Sequence, residues 1–206
     1  IMQSIGSVMV FGFNKILLVF STTAAALFGV YFKLQSFIFM PIFGLNNGMI
    51  PIVAYNYGAR KNKRIMETIR LSVCISIGIM FLGLLAFQIM PVPLLHLFDA
   101  SDHMIEIGVP ALRIISIHFL LAGYSIIISS SFQALGNGFY SLIISAVRQL
   151  VVILPVAYLL SHLFGLHSVW FSFPIAELVS VILCTLLFRR IKRLKLDPLD
   201  SPNSAS

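Results

Sequence analysis

The chain has 206 residues, of which 59% are hydrophobic and 10% charged, with a mean hydropathy of +0.99. Soluble domains carry about 25% charged residues, and a chain of this size cannot enclose so much apolar surface in a water-soluble core. The net charge of +7 does not read as a nucleic-acid footprint, because ten of the fourteen Lys and Arg lie in two stretches, 60–70 and 189–195. Charge blocks of that kind set membrane topology.

The apolar runs are continuous rather than alternating, which argues against a β-barrel and predicts an all-α polytopic membrane protein. Six helices are expected, over about residues 2–20, 24–57, 63–90, 102–134, 139–162 and 168–190. Together they make a transmembrane lobe over residues 1–193, followed by a polar cytoplasmic tail over 194–206 in which the part from Asp197 is expected to be disordered. The chain opens at Ile1 inside an apolar segment with no charged leader, so an N-terminal part is expected to precede it.

Helix one carries Asn14 and Lys15 near its middle, and the polar turn 21–23 follows. Helix two would be about 50 Å long if straight, against about 30 Å of hydrocarbon, so it must tilt, kink or protrude. Lys33 and Gln35 lie in its first half. Pro41 and Pro51 each remove a hydrogen bond and are expected to kink or break it. Gly44 and Gly48 form a GxxxG that allows close helix approach, and with the two prolines they make a candidate hinge. Gly58 is expected in the left-handed position past the helix end, and Arg60, Lys61, Lys63 and Arg64 follow.

Helix three is expected to stop at Pro91 and Pro93. The next loop holds Asp99, Asp102 and Glu106 without Lys or Arg, which marks the opposite side of the membrane. Ser101 or Asp102 can cap helix four, which carries Pro110, Arg113 and a mid-span His118. Helix five carries Arg148 and Pro155, and helix six carries Pro174 and Glu177. With loop 58–64 inside and the sides alternating, both basic clusters fall on the cytoplasmic side, C-terminus included.

Enzyme signatures such as HExxH, GxSxG or a P-loop are absent from the sequence, so neither a catalytic residue nor a cofactor is expected. His96, His103, His162 and His167 have no ligand spacing and read as surface residues, so no metal site is expected. Cys74 and Cys184 read as free packing residues. The informative residues are the ionisable ones at membrane depth, because each charge costs about 2.5–3.5 kcal/mol at the bilayer centre unless it meets protein or water. Arg113 can snorkel or pair with Glu106. Arg148 lies sixteen residues before Phe164 and Glu177 thirteen after it, so antiparallel neighbours set them at similar depth. That pair is either a structural tie between two helices, or one member lines the transport path, with Glu177 as the coupling carboxylate. Lys15, Lys33 and Arg148, with Asn14, Gln35 and His118, are candidates for lining a substrate cavity.

The stretch 43–64, FGLNNGMIPIVAYNYGARKNKR, resembles a signature of multidrug and toxic compound extrusion (MATE) transporters. Weaker matches follow in order: Leu97 and Phe98, residues 111–114, residues 132–136, Arg148 with Gln149 and Pro155, and residues 169–177. The resemblance implies the C-terminal six-helix lobe of a twelve-helix transporter in the bacterial inner membrane. It also implies export of cationic or amphipathic compounds in exchange for sodium ions or protons, with a six-helix N-terminal lobe and the lipid bilayer as partners. Some members place an acid in the first helix of this lobe; here Asn14 and Lys15 stand there, which points the coupling-ion site to the N-terminal lobe. The basic residues at depth also fit a lipid-linked oligosaccharide flippase of the same superfamily. A membrane-embedded enzyme and a structural membrane subunit are the readings from other classes. The topology is testable in intact cells lacking the native thiols: Asp99→Cys reacts with an impermeant maleimide and Lys61→Cys is spared, and the reverse pattern overturns the orientation.

Overall fold

The computed structural model describes residues 2–200, and every regular element among them is helical. The order is α1 (Met2–Leu18), α2 (Thr22–Gly58), α3 (Asn62–Ile89), α4 (Pro91–His96), α5 (Asp102–Ser116), α6 (Phe119–Ala134), α7 (Gly138–Ala146), α8 (Leu154–Phe164), α9 (Leu166–Val169) and α10 (Ser172–Ile191). A π-helical segment, Val147–Ile153, joins α7 to α8 into one rod. Four apolar rods have the length to cross a membrane: Thr22–Gly58, Asn62–Ile89, Gly138–Phe164 and Leu166–Leu199. The pair α5 and α6, bent by 47°, has the length and composition for a fifth when taken as one broken span. Helix α1 is apolar but has only 17 residues, the low end of what a bilayer requires.

Local chemistry explains the element ends. Ser21 caps α2 by accepting from the Ala24 amide at 3.0 Å, and Ser101 caps α5 by accepting from Met104 at 3.3 Å. Pro91 opens α4, where its missing N–H is no loss. That short helix occupies part of what the sequence reads as a loop. The π segment lies just before Pro155, whose ring cannot supply the hydrogen bond to the carbonyl four residues back, so the ladder re-registers there.

Several expectations are corrected. Neither Pro41 nor Pro51 breaks α2, which continues through both as one helix. Both prolines are exposed, and the 37-residue helix continues despite the two donors they remove. Gly58 is the last helical residue rather than the left-handed one. Arg60 takes the positive φ of 55°, and the turn closes when the Lys61 amide donates to the Asn56 carbonyl at 2.9 Å. The span 102–134 is not one helix: it breaks at Ile117 and His118, a full two turns past Pro110. Residues Asp197–Asp200 form a 3-10 turn where disorder was expected, and residues 201–206 lie outside the described part. A Cβ added at Gly44 or Gly48 meets nothing within 4 Å, so the GxxxG is not a packing seam within this lobe.

The close approaches lie elsewhere. A Cβ at Gly83 would meet Ile38 Cγ2 at 2.5 Å, and one at Gly123 would meet Met80 and Ser76 at 3.1–3.3 Å. Ser76 Oγ also donates to the Gly123 carbonyl at 2.9 Å, which ties α3 to α6 at a small-residue crossing. Helix α6 sits centrally, packed against α2, α3, α7 and α10. At one end of the lobe Phe13, Phe28, Tyr31, Phe173 and the fully buried Trp170 form an aromatic cluster, with Phe13 and Phe28 stacked at 4.5 Å. At the other end Lys195 Nζ donates to the Leu135 carbonyl at 3.3 Å and lies 6.0 Å over the Tyr57 ring. The two basic stretches, 60–70 and 189–195, therefore share one end of the bundle. Gly123→Leu should overpack the α3–α6 crossing, typically by about 1–3 kcal/mol, and sharply reduce monodisperse yield in size-exclusion chromatography. Gly48→Leu, on an open face, should leave that yield unchanged.

Candidate functional site

The most demanding feature in the lobe is a charge buried on α10. The Glu177 side chain is 5% exposed. Helical periodicity sets Phe173, Ser180 and Cys184 on the same face, and all three are buried. Arg148 reaches it from the π segment: its Nη1 donates to Glu177 Oε2 at 3.3 Å, and its side chain is 26% exposed. Arg148 is the second residue of the π segment Val147–Ile153, where the regular α-helical ladder is interrupted.

Other polar groups gather around the pair. His118 is buried at the break between α5 and α6, with its Nδ1 bonded to the Ile115 carbonyl and its ring 5.9 Å from Phe173. Tyr31 of α2 contacts the same Phe173 ring at 5.8 Å. Cys184 Sγ donates to the Ser125 carbonyl of α6 at 3.7 Å. Glu177 Oε1, Tyr31 Oη, Ser125 Oγ and Ser180 Oγ are buried without a protein hydrogen-bond partner. The lobe thus holds a polar island spanning α2, α6, the π segment and α10.

The remaining candidates are not gathered there. Lys15 is exposed, 4.9 Å over the Phe11 ring, and lines a cavity of about 460 Å³ with Phe20, Tyr158 and His162. Asn14 is half-buried beside Gln149 and Phe32 at a separate concavity of about 620 Å³. Lys33 is exposed and lies 5.7 Å over the Phe98 ring, so it and Lys15 face different neighbours and do not form one cationic group. Gln35 is half-buried. Pro41, Gly44, Gly48 and Pro51 are all exposed along α2. Arg113 is exposed and makes no ion pair with Glu106, which instead sits 3.7 Å from His103. The Arg113 carbonyl accepts from Gln88 Nε2 at 2.9 Å and braces α3 against α5. Among the described residues no three His, Cys, Asp or Glu side chains come together as a metal would need.

Sequence reasoning missed Tyr31, Ser125 and Ser180. Ser180 was within reach, one turn from Glu177. Tyr31 and Ser125 carry no local signal, because only the packing of α2 and α6 against α10 brings them in.

Similarity to known proteins extends along nearly the whole chain. The MatE family model matches residues 1–159. The multidrug export protein MepA of Staphylococcus aureus (strain bovine RF122 / ET3-1) is 30% identical over 175 residues, 84% of this chain and 38% of that protein. MepA of Staphylococcus haemolyticus is 30% identical over 186 residues, 89% of this chain and 40% of its own. The chain therefore spans about two fifths of the length of these curated relatives. Among solved structures, the Vibrio cholerae MATE transporter VcmN in its bent form superposes with a TM-score of 0.88 at 21% identity, over 94% of this chain and 44% of that one. The fold is that of a half-sized MATE lobe.

Leaving one member of a buried pair uncompensated typically costs about 3–5 kcal/mol. Glu177→Gln should therefore lower folded yield, and adding Arg148→Gln should restore part of it. If Glu177→Gln leaves yield and thermal stability intact, the pair is not a structural tie.

Proposed function

The chain belongs to the MatE family of membrane transporters, and from that premise we propose that it supplies the C-terminal half of a secondary antiporter exporting cationic or amphipathic toxic compounds. The carrying observation is its likeness to two multidrug export proteins over 84% and 89% of its length. The exchanged ion is sodium or a proton. Because α1 offers Asn14 and Lys15 and no acid, the ion is assigned to an N-terminal six-helix lobe that completes the transporter.

In this reading residues 1–193 form the lobe, 194–206 the cytoplasmic tail, and the end bearing 60–70 and 189–195 faces the cytoplasm of a bacterial inner membrane. Asn14 and Lys15 on α1 and Lys33 and Gln35 on α2 are the cavity-facing candidates. The stretch from Pro41 to Pro51, along which Pro41, Gly44, Gly48 and Pro51 are exposed, is the site of hinge bending. Arg148 and Glu177, with His118 beside them, tie the lobe together while it moves. An oligosaccharide-pyrophosphate carrier would need its cations in one cavity, whereas Lys15 and Lys33 are apart and Arg148 is neutralised by Glu177.

Cells expressing the complete transporter should expel preloaded ethidium when an inward sodium or proton gradient is imposed, and collapsing the relevant gradient should stop it. Correct membrane insertion without gradient-driven efflux of ethidium or a second cationic dye would overturn the proposal. Pro41→Ala should reduce efflux more than it reduces protein level.

A further inference from the structure

The basic end of the lobe carries a groove that export does not use. Helix α6 packs against both α3 and α10, and between them lies a cavity of about 430 Å³. Lys63, Glu67, Arg70 and Cys74 occupy one stripe of α3 along it, at intervals of four, three and four residues. At 1.5 Å per residue that stripe is about 16 Å long. Lys63 and Arg70 are exposed, and among the described residues neither makes an ion pair, Glu67 included. Beneath them the wall turns apolar: Val73 of α3, Ile128 of α6 and Phe188 of α10. The Tyr124 hydroxyl is held by Thr185 Oγ1 at 3.0 Å, so it too presents a ring rather than a free polar group.

Two unpaired cations above an apolar trough describe a ligand with an anionic head and an apolar tail. The cations that the transporter is proposed to export have the wrong sign for it. A free phosphate would leave the apolar wall unfilled. Topology-setting charge alone explains the presence of Lys63 and Arg70 but not a trough between three helices below them. We propose that this groove holds one anionic phospholipid, its phosphate between Lys63 and Arg70 and an acyl chain running between α3 and α10 toward Cys74. Basic pockets between membrane helices hold such headgroups at the cytoplasmic face. Glu67 sets a limit on affinity, since its carboxylate repels the phosphate.

The chain contains its own reporter, because Cys74 is exposed and Cys184 buried. The protein is reconstituted in nanodiscs of phosphatidylcholine alone or with phosphatidylglycerol, and the rate of Cys74 alkylation by N-ethylmaleimide is measured. Alkylation should be several-fold slower with phosphatidylglycerol, and native mass spectrometry should retain one such lipid per chain. Lys63→Gln with Arg70→Gln should return the rate to the phosphatidylcholine value, Lys63→Arg with Arg70→Lys should keep the protection, and Glu67→Gln should deepen it. Arg189→Gln, Arg190→Gln and Arg193→Gln together remove more charge from the same end and should leave the protection in place. Equal rates in the two lipids would overturn the proposal. So would full loss of protection in the triple arginine variant, which would mean surface potential only, or equal protection by soluble glycerol phosphate, which would mean a headgroup site without a chain.

Discussion

The lobe depends on one electrostatic constraint: two charges deep in an apolar bundle have to neutralise each other. Arg148 and Glu177 meet at 3.3 Å between a π-helical segment and α10. Each alone would resist insertion by a few kcal/mol, and a pair so buried contributes less to net stability than its Coulomb energy implies, because both ions have lost water. The pair also limits how the rod 138–164 and α10 can meet, because the guanidinium has to come within reach of the carboxylate.

The aromatic cluster does complementary work. Stacked and tilted rings from α1, α2 and the start of α10 surround Trp170, and Phe173 links this apolar core to the polar island through its contacts with Tyr31 and His118. In lipid, association of helices is driven by close packing and hydrogen bonds rather than by water exclusion. Interlocking rings at one end and the Ser76–Gly123 crossing in the body are two of the ways in which this sequence obtains such packing.

What could be read from sequence follows from what repeats regularly. Helical rise is constant, so counting outward from Phe164 sets Arg148 and Glu177 at one depth without a structure. Charge blocks are additive, so the two basic stretches identify one end of the bundle. The misreadings come from residues whose effect depends on neighbours. Pro41 and Pro51 suggest breaks, yet α2 continues through both, because each removes one donor from a ladder whose other bonds hold. Pro110 leaves α5 intact, while the break falls at Ile117 and His118, where a buried imidazole bonds back to the Ile115 carbonyl. Gly44 and Gly48 carry the packing motif, and Gly83 and Gly123, which carry none, make the contacts.

The π segment shows why local irregularity and the ion pair belong together. Pro155 removes one donor from the ladder beneath it, and the chain answers by widening the turns just before it. Arg148 is the second residue of that segment and meets Glu177 at 3.3 Å. The irregular stretch of this rod is therefore also the stretch that carries its ion pair to α10, seven residues before the proline that removes the donor.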